Sequence, residues 1–457
     1  MSAPLIRRLD LFPDLLDLHC AHPARYPHLL ESATPGGPQA RYDILFAFPG
    51  ERLELAADGR LSGARHAASD QDFLAALDQL CASRAVDDAS HAELPFFGGW
   101  FVYFGYELAA QIEPSLTLPP ARSQLPTALA QRIPAAVIRD HRQHCTWLVA
   151  EHGQDSLLQS MAEDLAALTP CDDIPDVLLD GVLQEDEPQL YLDAVARIRE
   201  YILAGDVFQV NLSRCWRGHL RAAVRPHDIY RRLRKNNPAP FAALATWGDH
   251  AVLSSSPERL VRVDATGSIE TRPIAGTRPR GIGDVADAAY SRELLVHPKE
   301  RAEHVMLIDL ERNDLGRVCV AGSIEVNELM VLESYSHVHH IVSNVRGQLR
   351  PNVTPGAVIR AVFPGGTITG CPKVRCMEII AELEGEGRGA YTGALGYINT
   401  DGSMDLNILI RTLVSEGAEI SFRAGAGIVA DSQPEQELAE TRAKARGMVL
   451  ALANVKM

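Results

Sequence analysis

The 457 residues suffice for roughly two to four domains of about 100–200 residues, or one large composite domain, and exclude a peptide, a stapled mini-protein or a lone recognition module. Lysine plus arginine number 44 and aspartate plus glutamate 59, a net charge of −15 that disfavours a general DNA- or anionic-membrane-binding surface but leaves an anionic small-molecule substrate open. Hydrophobic residues at 46% and charged residues at 23% supply a core without a disorder signature.

The N-terminus, Met1-Ser-Ala-Pro-Leu-Ile-Arg-Arg8, lacks the apolar stretch of a signal peptide, and no apolar run in the chain has transmembrane length. Residues 1–165 are expected to form a mixed helix and strand region, with strands at Tyr42–Phe48 and Gly98–Tyr106. Residues 166–187, with two acidic pairs and two prolines, are expected to form a linker to a region spanning 188–457. There Tyr191, Val195, Ile198 and Ile202 share a helical face, and Gly205 stops that helix before a strand at Val207–Leu212. Ala251–Ser256 and Asn407–Val414 read as strands, and Pro298–Asn313, Pro372–Glu384 and Pro434–Val455 as helices with proline in the first turn. Strands and helices do not alternate strictly, so an α+β fold with large, mainly antiparallel sheets is expected. The eight cysteines have no C-x-x-C spacing and read as reduced thiols of a cytoplasmic protein.

Several segments carry candidate chemistry. Ser432-Gln-Pro-Glu435 has the pattern of a capping box, and Glu437, Glu440 and Lys444 then lie along one helical face; a solvated face with a Glu440–Lys444 surface pair is the plainer reading. Glu300 and Glu303 are a second i, i+3 pair, and two such pairs on different helices could enclose Mg²⁺, which prefers oxygen ligands. Alternation places Arg411 between Leu409 and Leu413 on a strand face, so its guanidinium needs a carboxylate from the protein or a ligand. Gly425-Ala426-Gly427 allows backbone N–H groups close to an anion, and Gly365–Gly370 leads into a helix N-terminus without the ending of a nucleotide-binding loop. Of the histidines 337, 339 and 340, extended geometry puts His340 on the opposite face from the other two.

Together these segments resemble the chorismate-utilising enzymes of the anthranilate synthase and aminodeoxychorismate synthase family. The resemblance rests on Phe208-Gln-Val-Asn-Leu-Ser213, Ser256-Pro-Glu-Arg259, Arg272-Pro-Ile-Ala-Gly-Thr-Arg-Pro-Arg-Gly281, Ala302-Glu-His304, Asp309-Leu-Glu-Arg-Asn-Asp-Leu-Gly316, Gly366-Thr-Ile-Thr-Gly-Cys-Pro-Lys-Val-Arg375, Ile410-Arg-Thr412 and Gly425-Ala-Gly-Ile-Val-Ala-Asp-Ser432. It implies two stacked, mainly antiparallel sheets with helices outside, and Mg²⁺ bridging the enzyme to the ring carboxylate of chorismate. By motif, Glu303 and Glu440 would contact the metal, with Glu300 and Glu437 as supporters. Arg411 would clamp the enolpyruvyl carboxylate, Gly425, Ala426, Gly427 and Lys444 would hold the anionic end, and Thr277, Thr367 and Tyr391 would complete the substrate site. Glu258 matches the general acid that protonates the leaving 4-hydroxyl, and His340 the histidine near the reacting ring.

Gln209 stands where isochorismate and salicylate synthases carry a lysine base, which favours ammonia over water as nucleophile. No glutaminase segment is present, so a separate glutamine amidotransferase subunit is the implied partner. Ala275 replaces the lysine that some aminodeoxychorismate synthases use as a nucleophile, which speaks against a lysine-linked intermediate. Gln209–Ser213, Asn237–Ala243, Asp405–Arg411 and the compact length nevertheless resemble the aminodeoxychorismate branch, whose product leads to 4-aminobenzoate and folate. The anthranilate branch is the alternative, and a non-catalytic chorismate- or amino-acid-binding regulator is the alternative of another class. Leu30, Glu31 and Ser32, with Pro238, Pro240 and Phe241, resemble the tryptophan-site segments of the family, against an ordinary buried turn.

Overall fold

The structure is a computed structural model that describes residues 3–33, 41–63, 72–85, 94–280, 283, 292, 298–334 and 338–453. Its described strands form two sheets, one of twelve and one of eleven, and every pairing in them is antiparallel. In the first sheet the early strand His28–Glu31 pairs directly with Phe241–Trp247, placing Leu29 opposite Leu244. In the second, Gly99–Phe104 pairs with Ala394–Asn399. Each sheet is therefore shared: the strands from before residue 165 form one contiguous block and those from after it the other, joined at these two pairs.

The Gly99–Phe104 strand shows why these sheets stack. All six of its residues are buried, and alternate side chains go to different cores. Phe101 and Tyr103 join Phe46, Val252, Leu395 and Leu409 between the two sheets. Trp100, Val102 and Phe104 point outward to a second core with Leu74, Ile308, Val358 and Met377 from the helices. A third core covers the outer face of the first sheet with Leu16, Met161, Ile229 and Met448. Each fully buried large apolar side chain is worth about 1.5–3 kcal/mol, so covering both faces of each sheet is favoured over leaving one wet. The result is the expected α+β sandwich with its helices outside.

Three local expectations change. Asn407–Val414 is not one strand: Met404–Ile408 lies in the second sheet and Thr412–Glu416 in the first. Its neighbour does the same, with His250–Ser256 in the first sheet and Arg259–Val263 in the second. Two paired segments thus cross between the sheets side by side, and the crossing residues are Pro257, Glu258 and Leu409–Arg411. Pro257 cannot donate to a ladder and Arg411 has φ +51, so neither segment continues as regular strand.

The second change is at the last helix, Pro434–Leu452, whose N-cap is Gln433 without a side-chain bond. Ser432 instead accepts the Val429 N–H at 3.1 Å, closing a turn one residue too early to cap the helix. Third, Cys20 and Cys171 form a disulfide across a separation of 151 residues, against the reading of eight reduced thiols. No local spacing announces that pair; the docking of the Leu15–Ala21 helix brings it together. Among the described residues no helix is long and apolar enough to cross a membrane.

Candidate active site

The two sheet crossings are tied to each other by the backbone. Ser255 N–H donates to Arg411 O at 3.1 Å, Ile408 N–H donates to Glu258 O at 3.0 Å, and Ser256 Oγ donates to Ile408 O at 2.5 Å. These bonds set the Glu258 and Arg411 side chains on adjoining turns. Glu258 is 5% exposed, and burial pushes its carboxyl up to about 7 against the opposing charges of Arg411 and Lys444. Protein surrounds the Arg411 guanidinium closely enough that burial holds it below its ordinary value, with Glu258 pulling the other way. Arg411 projects from a crossing and not from the strand face on which sequence alternation places it.

Other elements converge on the same place. His340 is buried on the strand Val338–Gln348 and is lowered to about 3 by burial, with the Arg411 charge acting in the same direction; it is neutral at physiological pH. Thr277 pairs in register with His340, and its side chain, like His337, lies outside the described residues. The turn Gly366–Ile368 brings Thr367 beside Glu258, and Thr367 Oγ1 and Glu258 Oε1 are both buried without a hydrogen-bond partner among the described residues. Burial raises the Tyr391 hydroxyl to about 12, so it remains a neutral donor.

The strand Gln209–His219 runs along this site. Gln209 pairs in register with Cys371, and Asn211 lies opposite Gly427 on the strand Glu419–Ile428. Glycine is required at 425 because a methyl group there would lie 2.6 Å from Leu212 O, 2.8 Å from Tyr391 Oη and 2.9 Å from Asn211 Oδ1. At 427 the amide of Gln209 occupies the space. The Gly425-Ala426-Gly427 segment is thus narrow because side chains of the neighbouring strand and of Tyr391 cover it. Lys444 Nζ donates to Gly425 O at 3.1 Å and pairs with Glu440 at 2.7 Å, so the surface pair read from the sequence is present while the same ammonium anchors the glycine strand.

The carboxylate pairs occupy two helices. Glu300 and Glu303 lie in Pro298–Gly316, which packs on the strands Ile274–Pro279 and Val338–Gln348 and is tied to the latter by His304 Nε2 at 2.6 Å from Ser343 Oγ. Glu437 is 9% exposed and Glu440 about half exposed on the last helix, both close enough to raise the buried Tyr191 hydroxyl, for which burial is the larger cause. Among the described residues no three acidic, histidine or cysteine side chains gather into a metal cluster. The donor chemistry nevertheless fits a hard divalent cation: all four candidates offer carboxylate oxygens, and magnesium commonly uses one or two protein carboxylates with water and substrate completing its shell.

One network was not legible in the sequence. Glu384 is 1% exposed at its side chain and pairs with Arg388 at 2.7 Å and Arg423 at 2.8 Å, while accepting the N–H and hydroxyl of Ser213, each at 2.8 Å. Arg388 also donates to Asn211 O at 2.7 Å. This charged knot fixes the strand that carries Gln209 and Asn211. Its members come from three separate segments, so only the i, i+4 spacing of Glu384 and Arg388 could have hinted at it.

A second concavity, of about 480 Å³, lies elsewhere and is lined by Leu30, Glu31, Ser32, Pro240 and Phe241, together with Arg259. Of the six residues whose sequence resembles the tryptophan-site segments of the family, five line it and Pro238 does not. Burial pushes Glu31 up to about 7, against the charge of Arg234, which binds it at 3.0 Å.

The family model described as chorismate binding enzyme matches residues 33–450. The chain is 40% identical over 433 residues to an anthranilate synthase component I-like protein of Synechocystis sp., covering 93% of this chain and 86% of that protein. It is 41% identical over 380 residues to aminodeoxychorismate synthase component 1 of Bacillus subtilis, covering 81% and 80%. In structure it is similar to anthranilate synthase component I from Streptococcus pneumoniae, with a TM-score of 0.80 and 33% identity over 90% of this chain and 92% of that one.

Proposed function

The chain belongs to the chorismate-binding enzyme family, and from that premise we propose that it is the synthase component of 4-amino-4-deoxychorismate synthase, converting chorismate and ammonia in a Mg²⁺-dependent reaction. The product would serve 4-aminobenzoate and folate synthesis, with ammonia supplied by a glutamine amidotransferase subunit. The observation that carries the reading is a buried carboxyl held near pH 7, Glu258, placed beside the cationic Arg411. A carboxyl protonated at neutral pH can give its proton to a leaving hydroxyl, and a guanidinium without an ion-pair partner among the described residues can take a substrate carboxylate.

The roles follow from placement. Arg411 orients the enolpyruvyl carboxylate next to Glu258, so the departing oxygen receives its proton as the C–O bond breaks. Neutral His340 and the Thr367 hydroxyl line the reacting ring without adding charge, Thr277 contributes from the adjoining strand, and Tyr391 closes the far side. Lys444 holds the glycine strand whose N–H groups at Gly425 to Gly427 face the anionic end. Glu303 and Glu440 would hold magnesium, with Glu300 and Glu437 in support; when bound, the metal supplies positive charge to the ring carboxylate. Gln209 is a carboxamide and cannot act as a base, which suits ammonia, a nucleophile that needs no deprotonation to attack.

Ala275 favours a second reading, anthranilate synthase, because Pro-Ile-Ala-Gly-Thr lacks the nucleophilic lysine of some aminodeoxychorismate synthases. The cavity at Leu30, Glu31 and Ser32 would take a free amino acid such as tryptophan under either reading. The deciding experiment incubates the purified chain with chorismate, Mg²⁺ and ammonium and identifies the product. Aminodeoxychorismate supports the preferred reading, whereas anthranilate and pyruvate would replace it with the second.

A further inference from the structure

Tyr191 stands on the helix Pro188–Leu203, which packs against the last helix, Pro434–Leu452. It is 4% exposed in a core with Val210, Leu212, Ile428 and Leu438, so packing from two strands and a second helix fixes where its hydroxyl sits. That hydroxyl is buried and has no hydrogen-bond partner among the described residues. The charged or titratable groups that reach it are Glu437, Glu440, Tyr391 and Glu384. A buried tyrosine O–H usually finds a partner, so one left unmet in a packed core calls for a contact made in another state of the protein.

The surroundings select the partner. Glu384 is committed to Arg388, Arg423 and Ser213, and Glu440 is paired with Lys444 and about half exposed. The Tyr391 hydroxyl is neutral and accepts more weakly than a carboxylate. Glu437 is 9% exposed, and its neighbour Leu438 is anchored in the Tyr191 core. A carboxylate has about four acceptor sites, so Glu437 can take this hydroxyl in addition to its other contacts. We propose that Tyr191 is a positioning residue for the magnesium site: in the cation-loaded protein its hydroxyl donates to the Glu437 carboxylate and fixes the orientation of that carboxylate beside Glu440. A neutral donor of this kind orients a carboxylate near the metal without adding a charge that competes with the cation. The inference rests on the proposed placement of Mg²⁺ at Glu303 and Glu440 with Glu300 and Glu437 in support, and it holds for either product.

The test measures the dissociation constant of Mn²⁺, an oxygen-seeking stand-in for Mg²⁺, on the full chain without chorismate, from the electron paramagnetic resonance signal of the free ion. The site counted is the one that Glu440→Ala removes. Tyr191→Phe is expected to raise that constant about tenfold or more, the usual effect of losing a partner of a metal-ligating group. The Tm of the metal-free variant is expected to equal or exceed that of wild type, because the change deletes a buried hydroxyl that has no partner there. An unchanged Mn²⁺ constant would mean that water serves the hydroxyl. An unchanged constant with weaker chorismate binding at saturating Mn²⁺ would mean that the substrate does, and a metal-free Tm several degrees lower would mean that the hydroxyl is bonded before the cation arrives. Each of these overturns the proposal. Failure of the underlying metal reading is distinct, because the wild-type chain would then show no Mn²⁺ site that Glu440→Ala removes.

Discussion

The Glu258 carboxyl and the Arg411 guanidinium lie within electrostatic reach of one another at two adjacent strand crossings, and burial acts against the charge of both. Each charge opposes that penalty on the other, so the acid stays poised near neutrality and the guanidinium remains a cation.

Glu258→Gln is expected to lower turnover about 10²–10⁴-fold while leaving chorismate binding intact, measured by initial rates and direct binding. In the wild type kcat/KM is expected to fall as pH rises through about 7, because the protonated carboxyl is the working form. Stability follows the same proton. The folded value lies above the ordinary glutamate value of 4.5, so the carboxyl's contribution is fully present below about 4.5 and is lost as pH rises through about 7. Each pKa unit is worth about 1.4 kcal/mol, so Glu258→Gln should be more stable than wild type by up to about 3 kcal/mol at pH 8 and nearly equal at pH 4.5, by urea unfolding.

Arg411→Lys should weaken chorismate binding about tenfold or more without loss of Tm, since an ammonium cannot make the forked contact of a guanidinium. Isothermal titration with chorismate at fixed Mg²⁺ decides it; unchanged affinity would remove Arg411 from the substrate site.

Glu440→Ala should abolish Mg²⁺-dependent turnover with a stability loss of no more than about 1 kcal/mol, because its pair with Lys444 is about half exposed. Normal turnover across a magnesium titration would leave Glu440 as a surface partner only.

Glu384→Ala should destabilise the chain by about 3–5 kcal/mol, since it leaves Arg388 and Arg423 buried and unpaired. Loss of ordered packing around Asn211 should follow, read as faster hydrogen exchange along Gln209–His219. A change below about 1 kcal/mol would show that the network is not structural.

The disulfide is checked by counting thiols. Alkylation of the denatured, unreduced chain should label six cysteines and leave Cys20 and Cys171, and prior reduction should expose all eight. Eight labels without reduction would contradict the pairing.

The sequence by itself determined the elements and the chemical inventory. Helix starts at Pro298 and Pro434 and the strand at Ala251–Ser256 follow from local pattern, because periodicity and residue type act over a few positions, whereas Glu258 stands out only by resemblance to a family motif. It misjudged what depends on distant partners. Alternation places Arg411 on a continuous strand, yet the chain changes sheets there, since Thr412 pairs with Ser254 while Asn407 pairs with Arg259. The Glu384, Arg388 and Arg423 knot, the Cys20–Cys171 bond and the unmet Tyr191 hydroxyl likewise exist only once remote segments dock. Burial is a property of the assembled fold, and it is burial that raises Glu258, neutralises His340 and leaves that hydroxyl without a partner among the described residues.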